Sequence, residues 1–466
     1  MYTIARMPLH HTAEKILNHQ KLGIDGWNIE AIVVSTIGFI LLFIVAAIAD
    51  PAAVWSFFVA LLTLMPFWLP PFLAIIFWVT WMHYIRYMFW FNWNYIVLEV
   101  QLPQEVEKSP LAMETFLTAL HNAGGETTFI ARIWKGTFRA VWTLEIASNE
   151  GRVGFYIHMR KDWKSVVEAR LYGLFPDAKI LEVDDYVSKI KFNLKDYDIF
   201  GAEYQKPGGP TASPNALPIK TYVDFGMDKD PKEENKIDPI SSIVELLGQV
   251  GKDEHYWFQI IMRTRRRDEW YGFYLGGDVY KDRGKKEIQN IMAGAAKRAQ
   301  DVLESLEVVE GKVSSLLTDG EKRRVDAIER SMSKLVFECG FRVIYMAKKG
   351  RFTGVNIPQL IQFFSVFNGE GYQHNRIHVT RGLAFFDFPW QDINDFRKKK
   401  IKEQLFFFYK HRAYFYVPYD QEPSFLTTEE VATLWHFPGS TVKTPGLNRV
   451  AARRAEAPPN LPTLPS

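Results

Sequence analysis

The sequence contains a single cysteine, Cys339, among 466 residues. An internal disulfide therefore cannot form, which excludes the small secreted folds that depend on disulfide frameworks. Cys339 lies in a strand-like run from Val336 to Tyr345 with no base nearby in the sequence. We therefore predict a packed thiol and not a nucleophile, in a soluble part that faces the cytoplasm.

The sequence also lacks the phosphate-binding loop Gly-x-x-x-x-Gly-Lys-Ser/Thr, whose backbone amides and lysine cradle nucleotide phosphates. The nearest string, Gly277 to Lys286, has the wrong spacing and no hydroxyl side chain to hold magnesium. No histidine or acid pair has the spacing of a metal site; the residues considered are His10, His11, His374, His378, Asp184 and Asp185. We predict no catalytic residue, no cofactor and no metal ion.

Charge is absent from long stretches near the amino terminus. The nineteen residues from Ala31 to Ala49 are uncharged, and as a helix they would cover the roughly 30 Å of a bilayer's hydrocarbon core. A second uncharged run, from Ala52 to about Met82, is too long for one straight crossing. It predicts either two short crossings separated at Pro66 and Pro70-Pro71 or one kinked crossing, and we favour the kinked crossing.

The end of this apolar block is rich in aromatic residues with a basic flank, as at a membrane interface. They are Trp78, Trp81, Tyr84, Tyr87, Trp90 and Trp93, joined by Arg86. Basic residues on both sides of the block favour two crossings with both ends in the cytoplasm. The alternatives are a buried hairpin in a soluble core and a cleaved signal peptide, but the block starts late and is long for a signal peptide.

Residues 95–200 show the order strand, helix, strand, strand, helix, strand, which is typical of a ferredoxin-like sandwich. Ser109-Pro110 predicts the start of the first helix, since a capping hydroxyl precedes a proline at the first helical position. Residues 201–217 are rich in Pro, Gly, Ser and Ala, which predicts a linker.

The same order recurs in residues 218–390, beginning with a predicted strand from Lys220 to Phe225. An insertion at 268–334 has helical composition and predicts an exposed helical hairpin. Residues 1–94 form the amino-terminal and transmembrane segment, and residues 391–466 a carboxy-terminal segment with a Pro-rich tail. The predicted fold class is an α+β membrane protein: transmembrane helices, then two ferredoxin-like βαββαβ modules, the second with a helical-hairpin insertion.

Two basic runs are candidates for contact with DNA phosphates or anionic lipid. They comprise Arg263, Arg265, Arg266 and Arg267 in one run, and Arg397, Lys398, Lys399 and Lys400 in the other. Acidic residues flank both runs, which favours a solvated or lipid-facing role over nucleic-acid binding. The net charge of +3 is too small to indicate a nucleic-acid partner.

The carboxy-terminal stretch Leu426 to Gly439 reads as a short helix with a capping box from Thr427 to Glu430, ended by Pro-Gly. It is followed by Lys443 to Leu447 and a Pro-rich tail. This stretch resembles the segment that joins the membrane-proximal region to the motor in bacterial membrane-anchored conjugative, type IV secretion-like DNA-translocating ATPases. Candidate residues for partner docking here are Trp435, His436, Phe437 and Pro445.

In that family a nucleotide-binding motor follows this segment, whereas no phosphate-binding loop occurs in this sequence. The resemblance therefore implies a non-enzymatic platform subunit of a conjugation-like export apparatus for DNA or protein. Its expected partners are the bacterial cytoplasmic membrane, a separate translocase-type ATPase docked through the helical hairpin of residues 268–334 or through the Pro-rich tail, and further copies of the chain. The alternative is a membrane scaffold that organises an envelope assembly and has no nucleic-acid role.

Overall fold

The computed structural model describes residues 21–24, 27–103, 108–121, 128–207, 216–228, 238–265, 269–270, 273–274, 278–305, 317–369, 374–382, 392–416, 419–439, 446–447 and 449–450. The chain forms two compact units. Residues 1–92 and 130–137 belong to the amino-terminal unit, and residues 93–129 and 138–466 to the main unit.

The first elements described in the amino-terminal unit are β1 (Lys21–Ile24) and β2 (Trp27–Glu30), which form a two-stranded hairpin. Three helices follow: α1 (Ala31–Ala49), α2 (Pro51–Thr63) and α3 (Met65–Phe91). Asp50 ends α1 and caps α2, because its carboxylate accepts the Ala53 amide at 3.0 Å and Pro51 lies at the first helical position.

Among the described residues, α3 is the one helix long and apolar enough by itself to cross a membrane. Its most apolar window has a mean hydropathy of 1.5, and none of that window is buried. The stretch Gly38–Ala49 and helix α2 are long and apolar enough to cross a membrane only when they are taken together, and the chain bends by 117° between them. The break at Pro70-Pro71, which the alternative of two short crossings required, is absent: α3 continues through both prolines. The helix boundary lies at Leu64, two residues before Pro66.

The main unit is mixed α+β and is built on one sheet of ten strands. Neighbouring strands follow the order β12-β7-β11-β8-β4-β5-β3-β16, with β6 also paired to β3 and β15 to β11. All pairs are antiparallel except β16 with β3. The strands are β3 (Tyr95–Pro103), β4 (Val141–Asn149), β5 (Arg152–Arg160), β6 (Lys179–Val183), β7 (Tyr197–Gln205), β8 (Glu254–Thr264), β11 (Val336–Lys348), β12 (His378–Gly382), β15 (Ser424–Thr427) and β16 (Arg449–Val450).

The sheet consists of two halves with the same order of elements. The first half is β3, α4 (Pro110–Leu120), β4, β5, α6 (Lys164–Leu174) and β6. The short helix α5 (Phe129–Ile133) precedes β4 in the chain, but all of it except Phe129 belongs to the amino-terminal unit. The second half is β7, α7 (Pro239–Gly248), β8, β11, α10 (Asn356–Ile361) and β12. In each half the first strand lies between the third and the fourth, and β4 pairs with β8 to join the halves.

The first strand of the second half is β7, not the predicted strand at Lys220 to Phe225, which is largely turn. The predicted boundary after residue 200 therefore falls inside a central strand, and the predicted linker begins within it. The sequence suggests a linker there because Gly201 and Ala202 are small. Gly201 is small for another reason: a Cβ would lie 2.7 Å from the Leu405 side chain and 3.0 Å from that of Ile344.

The insertion between β8 and β11 contains the short hairpin β9 (Glu269–Trp270) and β10 (Phe273–Tyr274), then α8 (Val279–Ser305) and α9 (Asp319–Ser333). Ion pairs at 2.5 Å join the helices, between Arg324 and Glu287 and between Arg298 and Glu321. After β12 come α11 (Phe396–Lys410), the hairpin β13 (Phe415–Tyr416) and β14 (Tyr419–Asp420), β15, and α12 (Thr428–Leu434).

Both faces of the central strands are covered. Phe258 and Val343 project into the larger core, together with side chains from α4, α6, α7, α10 and α12. Their neighbours Trp257 and Ile344 belong to a second core with Phe406 and Tyr409 of α11, because successive side chains of a strand point to opposite faces. The sheet is thus a middle layer, and α11 and α12 belong to different sides of it.

Candidate functional site

Polar side chains cross the second face of the sheet in one line. Glu203, Arg342, Gln259 and Glu145 occupy directly paired positions on β7, β11, β8 and β4. We call these four residues the polar row. They are buried, and residues opposite each other on adjacent strands are close enough to bond.

Each member of the polar row has a partner. Arg342 Nη2 donates to Glu203 Oε1 at 2.7 Å, and Gln259 Nε2 donates to Glu145 Oε1 at 2.7 Å. Tyr419 donates its hydroxyl proton to the second oxygen of Glu203. Buried charges are tolerated when they are paired and hydrogen-bonded in this way.

Arg412, in the loop after α11, contacts the Glu145 end of the polar row. Its guanidinium contacts Glu145 Oε1 at 3.0 Å and Asp185 Oδ2 at 2.5 Å, and its backbone has a φ of 50°. Burial by itself would lower the pKa of Arg412, but the charges of Glu145 and Asp185 outweigh burial and raise the pKa well above its usual value. Burial opposes ionisation of Asp185 as well, yet the hydrogen bond from Arg412 holds that pKa below its usual value.

Two tyrosines complete this network. The hydroxyls of Tyr186 and Tyr409 lie 2.8 Å apart, and Tyr186 also donates to Glu145 at 2.8 Å. Burial, and then the Glu145 charge, raise the pKa of both tyrosines well above the usual value. The acids, bases and hydroxyls of this cluster bond to one another. Its contacts position α11 on the sheet. Glu145, Tyr186, Tyr409 and Arg412 are buried, and the partly exposed Asp185 is paired with Arg412.

The first basic run is not an accessible phosphate site, which corrects the prediction for Arg263 and Arg265. Arg263 Nε lies 2.5 Å from Glu338 Oε2, and its guanidinium covers the Phe415 ring. The Arg265 side chain is only 6% exposed, lies 3.4 Å from Asp278 and covers the Phe425 ring. Burial would raise the pKa of Glu338, but the charges of Arg263 and Arg139 lower it. Arg266 and Arg267 lie outside the described residues.

The second basic run forms an exposed turn. Arg397, Lys398, Lys399 and Lys400 are all exposed in the first turns of α11, beside Phe396, which is 69% exposed. We call residues 396–400 the basic turn. Asp392 accepts the backbone amides of Arg397 and Lys398 at 2.7 and 3.0 Å. Within the described part of the chain, none of the four basic side chains forms a salt bridge with a carboxylate.

The candidate docking residues Trp435, His436 and Phe437 lie in the core and not on an accessible surface. Trp435 Nε1 donates to the Glu145 backbone oxygen at 3.2 Å. His436 Nε2 lies 3.0 Å from Asp238 Oδ1, which also caps α7. The Phe437 ring packs edge-on against Phe155 and Phe175. These aromatic residues satisfy internal contacts, and the fourth candidate, Pro445, lies outside the described residues.

The capping box predicted at Thr427 and Glu430 is confirmed. Every residue of α12 is buried, an unusual environment for a helix with two glutamates. Glu430 Oε1 lies 2.7 Å from Lys206 Nζ, and both side chains are almost fully buried. Thr428 donates to Glu114 of α4 at 3.2 Å. Helix α12 therefore holds both halves of the sheet together.

The remaining chemical candidates are internal. Cys339 is fully buried, and burial raises its thiol pKa well above the usual value, in agreement with the predicted packed thiol. His374 Nε2 lies 3.3 Å from Asp224. The described residues contain no group of three or more His, Cys, Asp or Glu side chains that could hold a metal ion.

The sequence did not single out the polar row or Arg412. A weak signal exists: Arg342 interrupts the apolar strand Val336–Lys348 at a position where both neighbours are apolar. It becomes specific only when the register aligns it with Gln259 and Glu203. Comparison with protein-family models and with curated proteins found no match to this chain.

Proposed function

We propose that the chain is a membrane-anchored, non-enzymatic platform subunit of a conjugation- or type IV secretion-like export apparatus, and that it binds a separate ATPase. The observation that carries this proposal is α3, a 27-residue apolar helix whose most apolar window is entirely unburied. It belongs to the same chain as a large sheet whose central charged groups pair internally. This combination supports a rigid body attached to the bacterial cytoplasmic membrane, with the body in the cytoplasm.

We further infer that each half of the sheet is a ferredoxin-like module. The order of elements and the position of the first strand between the third and fourth support this assignment. Two such modules joined edge to edge by β4 and β8 leave α8 and α9 as an insertion outside the repeated unit. The resemblance of Leu426 to Gly439 to the segment before a motor supports an export role. Because α12 is buried, it is not accessible to a partner, and we infer that the ATPase binds the helical insertion, α8 and α9, instead.

Helix α8 offers the surface for the ATPase. Its contacts with α9 involve Glu287, Ile288 and Ile291, whereas Met292 is 52% exposed. An exposed methionine among polar residues suits a protein interface, because Met is enriched at such interfaces. Substitution of Met292 by Asp would place a charge in the contact without changing the α8–α9 ion pairs.

The test is purification of the full chain in detergent from its own cells, followed by identification of co-purifying proteins with a phosphate-binding loop. We expect a translocase-type ATPase with the wild type, none with Met292→Asp, and full retention with the control Leu111→Asp, where a 49% exposed leucine lies on α4. Absence of an ATPase from the wild type would favour the membrane scaffold instead. ATP hydrolysis by the pure chain would contradict the non-enzymatic assignment.

A further inference from the structure

Residues 130–137 leave the main unit and form part of the amino-terminal unit, where they pack on α3. We call Ile130–Thr137 the interfacial segment. The Trp81 indole of α3 donates to the Ile133 backbone oxygen at 3.0 Å, and the Trp81 and Trp134 ring centroids lie 5.5 Å apart. Ile133 itself is buried.

Gly136 allows the backbone of the interfacial segment to approach the backbone of α3 closely. It has a φ of 64°, and a Cβ there would lie 2.4 Å from the Ile85 backbone oxygen. Any other residue would be strained in this conformation and would collide with the α3 backbone. The segment is therefore held on α3 at two points, Trp81 and Ile85.

The interfacial segment also exposes large apolar side chains. Ile130 is 63% exposed and Trp134 is 70% exposed, and the nearby Lys135 is exposed as well. The α3 surface around the contact is apolar too, with Phe77 at 64% exposure. A tryptophan, an aliphatic side chain and a lysine together match the interfacial region of a bilayer, where an apolar body meets anionic headgroups.

The position at which the interfacial segment contacts α3 also fits a membrane interface. Its 27 residues extend about 40 Å at 1.5 Å per residue, which exceeds the roughly 30 Å of hydrocarbon in a bilayer. Trp81 and Ile85 follow Met65 by about 24 and 30 Å on the same rise. The interfacial segment thus contacts α3 where the hydrocarbon would end if Met65 marks the opposite boundary.

We propose that the interfacial segment inserts Ile130 and Trp134 into the headgroup boundary of a membrane and so sets the depth at which α3 is held. This inference rests on the proposed membrane attachment and adds a second, non-spanning contact with lipid. The ligand is the lipid surface itself.

The test uses the full chain, reconstituted into vesicles of phosphatidylcholine and phosphatidylglycerol, with an environment-sensitive fluorophore on a single introduced cysteine. Cys339 is fully buried, so it remains in place and the unsubstituted chain serves as the labelling control. The labelled variants are Ile130→Cys, Phe77→Cys and Val355→Cys; Val355, in the main unit, is 66% exposed and matches Ile130 in exposure and size.

We expect residues 77 and 130 to be quenched by spin-labelled lipid, and residue 355 to be quenched several-fold more strongly by aqueous iodide than residue 130. Equal iodide quenching at residues 130 and 355, with residue 77 protected, would overturn this inference and leave membrane attachment standing. Iodide access at residue 77 would overturn membrane attachment itself.

A second pair of variants separates insertion from simple proximity. Gly136→Ala, combined with Ile130→Cys, should displace the segment and restore iodide quenching at residue 130. Gly354→Ala is the matched control, since a Cβ there meets no atom within 4 Å. If Gly136→Ala leaves the quenching at residue 130 unchanged while the chain stays folded, the docked geometry does not govern lipid contact and the proposal fails.

Discussion

Helices α11 and α12 lie close in sequence and have opposite environments. Helix α11 carries basic residues at its start and exposes them, although Phe406 and Tyr409 near its end are buried. Helix α12 is shorter, carries two glutamates, and is buried at every position. Charge alone therefore does not identify the surface of this protein. Helix α12 forms part of the core because Thr427 and Lys206 donate hydrogen bonds to the Glu430 carboxylate and Thr221 donates one to the Glu429 carboxylate.

The largest expected effect comes from emptying the core next to α12. Trp435→Ala should lower the free energy of unfolding by about 4 kcal/mol, since truncation of a buried tryptophan removes apolar contacts and leaves a cavity. The matched control on α11 is Phe396→Ala, an exposed aromatic whose loss should change stability by less than about 0.5 kcal/mol. Denaturant unfolding of the full chain in detergent measures both. Equal effects would contradict the contrast between the helices.

The next effect concerns the buried ion pair below α12. Lys206→Met should cost about 3 kcal/mol, because it leaves the Glu430 carboxylate buried without its cation. The double variant Lys206→Met with Glu430→Gln should recover part of this loss, since no unpaired charge remains. A double-mutant cycle with unfolding free energies tests the coupling, and simple additivity of the two changes would show that the pair does not interact.

Acid should destabilise the buried part of the protein. Burial lowers the pKa of both His158 and His255 below the usual 6.5. Below that pH the unfolded chain binds protons that the folded chain does not, so stability falls as the pH falls. Thermal unfolding between pH 8 and pH 5 measures this trend, in a range chosen around the histidine value. The variant His158→Gln should make the unfolding temperature depend less steeply on pH. An unchanged dependence would show that groups other than His158 cause the acid sensitivity.

The smallest effect on stability is expected at the basic turn of α11. Lys398→Glu combined with Lys399→Glu should change the unfolding free energy by less than about 0.5 kcal/mol, as is usual for surface positions. The same change should weaken salt-dependent binding to anionic vesicles or to DNA. Separate titrations with each distinguish the two ligands, with Lys398→Arg combined with Lys399→Arg as the control that preserves charge. Unchanged binding to both would mean that the turn is only solvated.

Local signals in the sequence predicted local structure well. Ser109 caps α4, with Pro110 at the first helical position, as predicted. The capping box of α12 was also recognisable, because its two residues are three apart in the chain. The helices of the insertion were recognisable from composition, since Ala, Glu, Lys and Arg favour helix without any tertiary contact.

The strand β7 shows why the rest could not be predicted. Its residues Ile199, Ala202 and Tyr204 are buried, but Gly201 and Ala202 suggested the start of a linker. Only the packing of Leu405 and Ile344 against Gly201 explains the small residue. The same limit applies to Arg263, whose partner Glu338 is 75 positions away.

The sequence by itself determined the apolar block and the caps of the helices, because these depend on residues within a few turns of one another. It also indicated the repeated order of strands and helices, but it misplaced the first strand of the second half. Tertiary structure alone decided which charges are buried. The line of Glu203, Arg342, Gln259 and Glu145 exists only through strand register. A charge can be buried only where a distant partner neutralises it, and no local pattern specifies that partner.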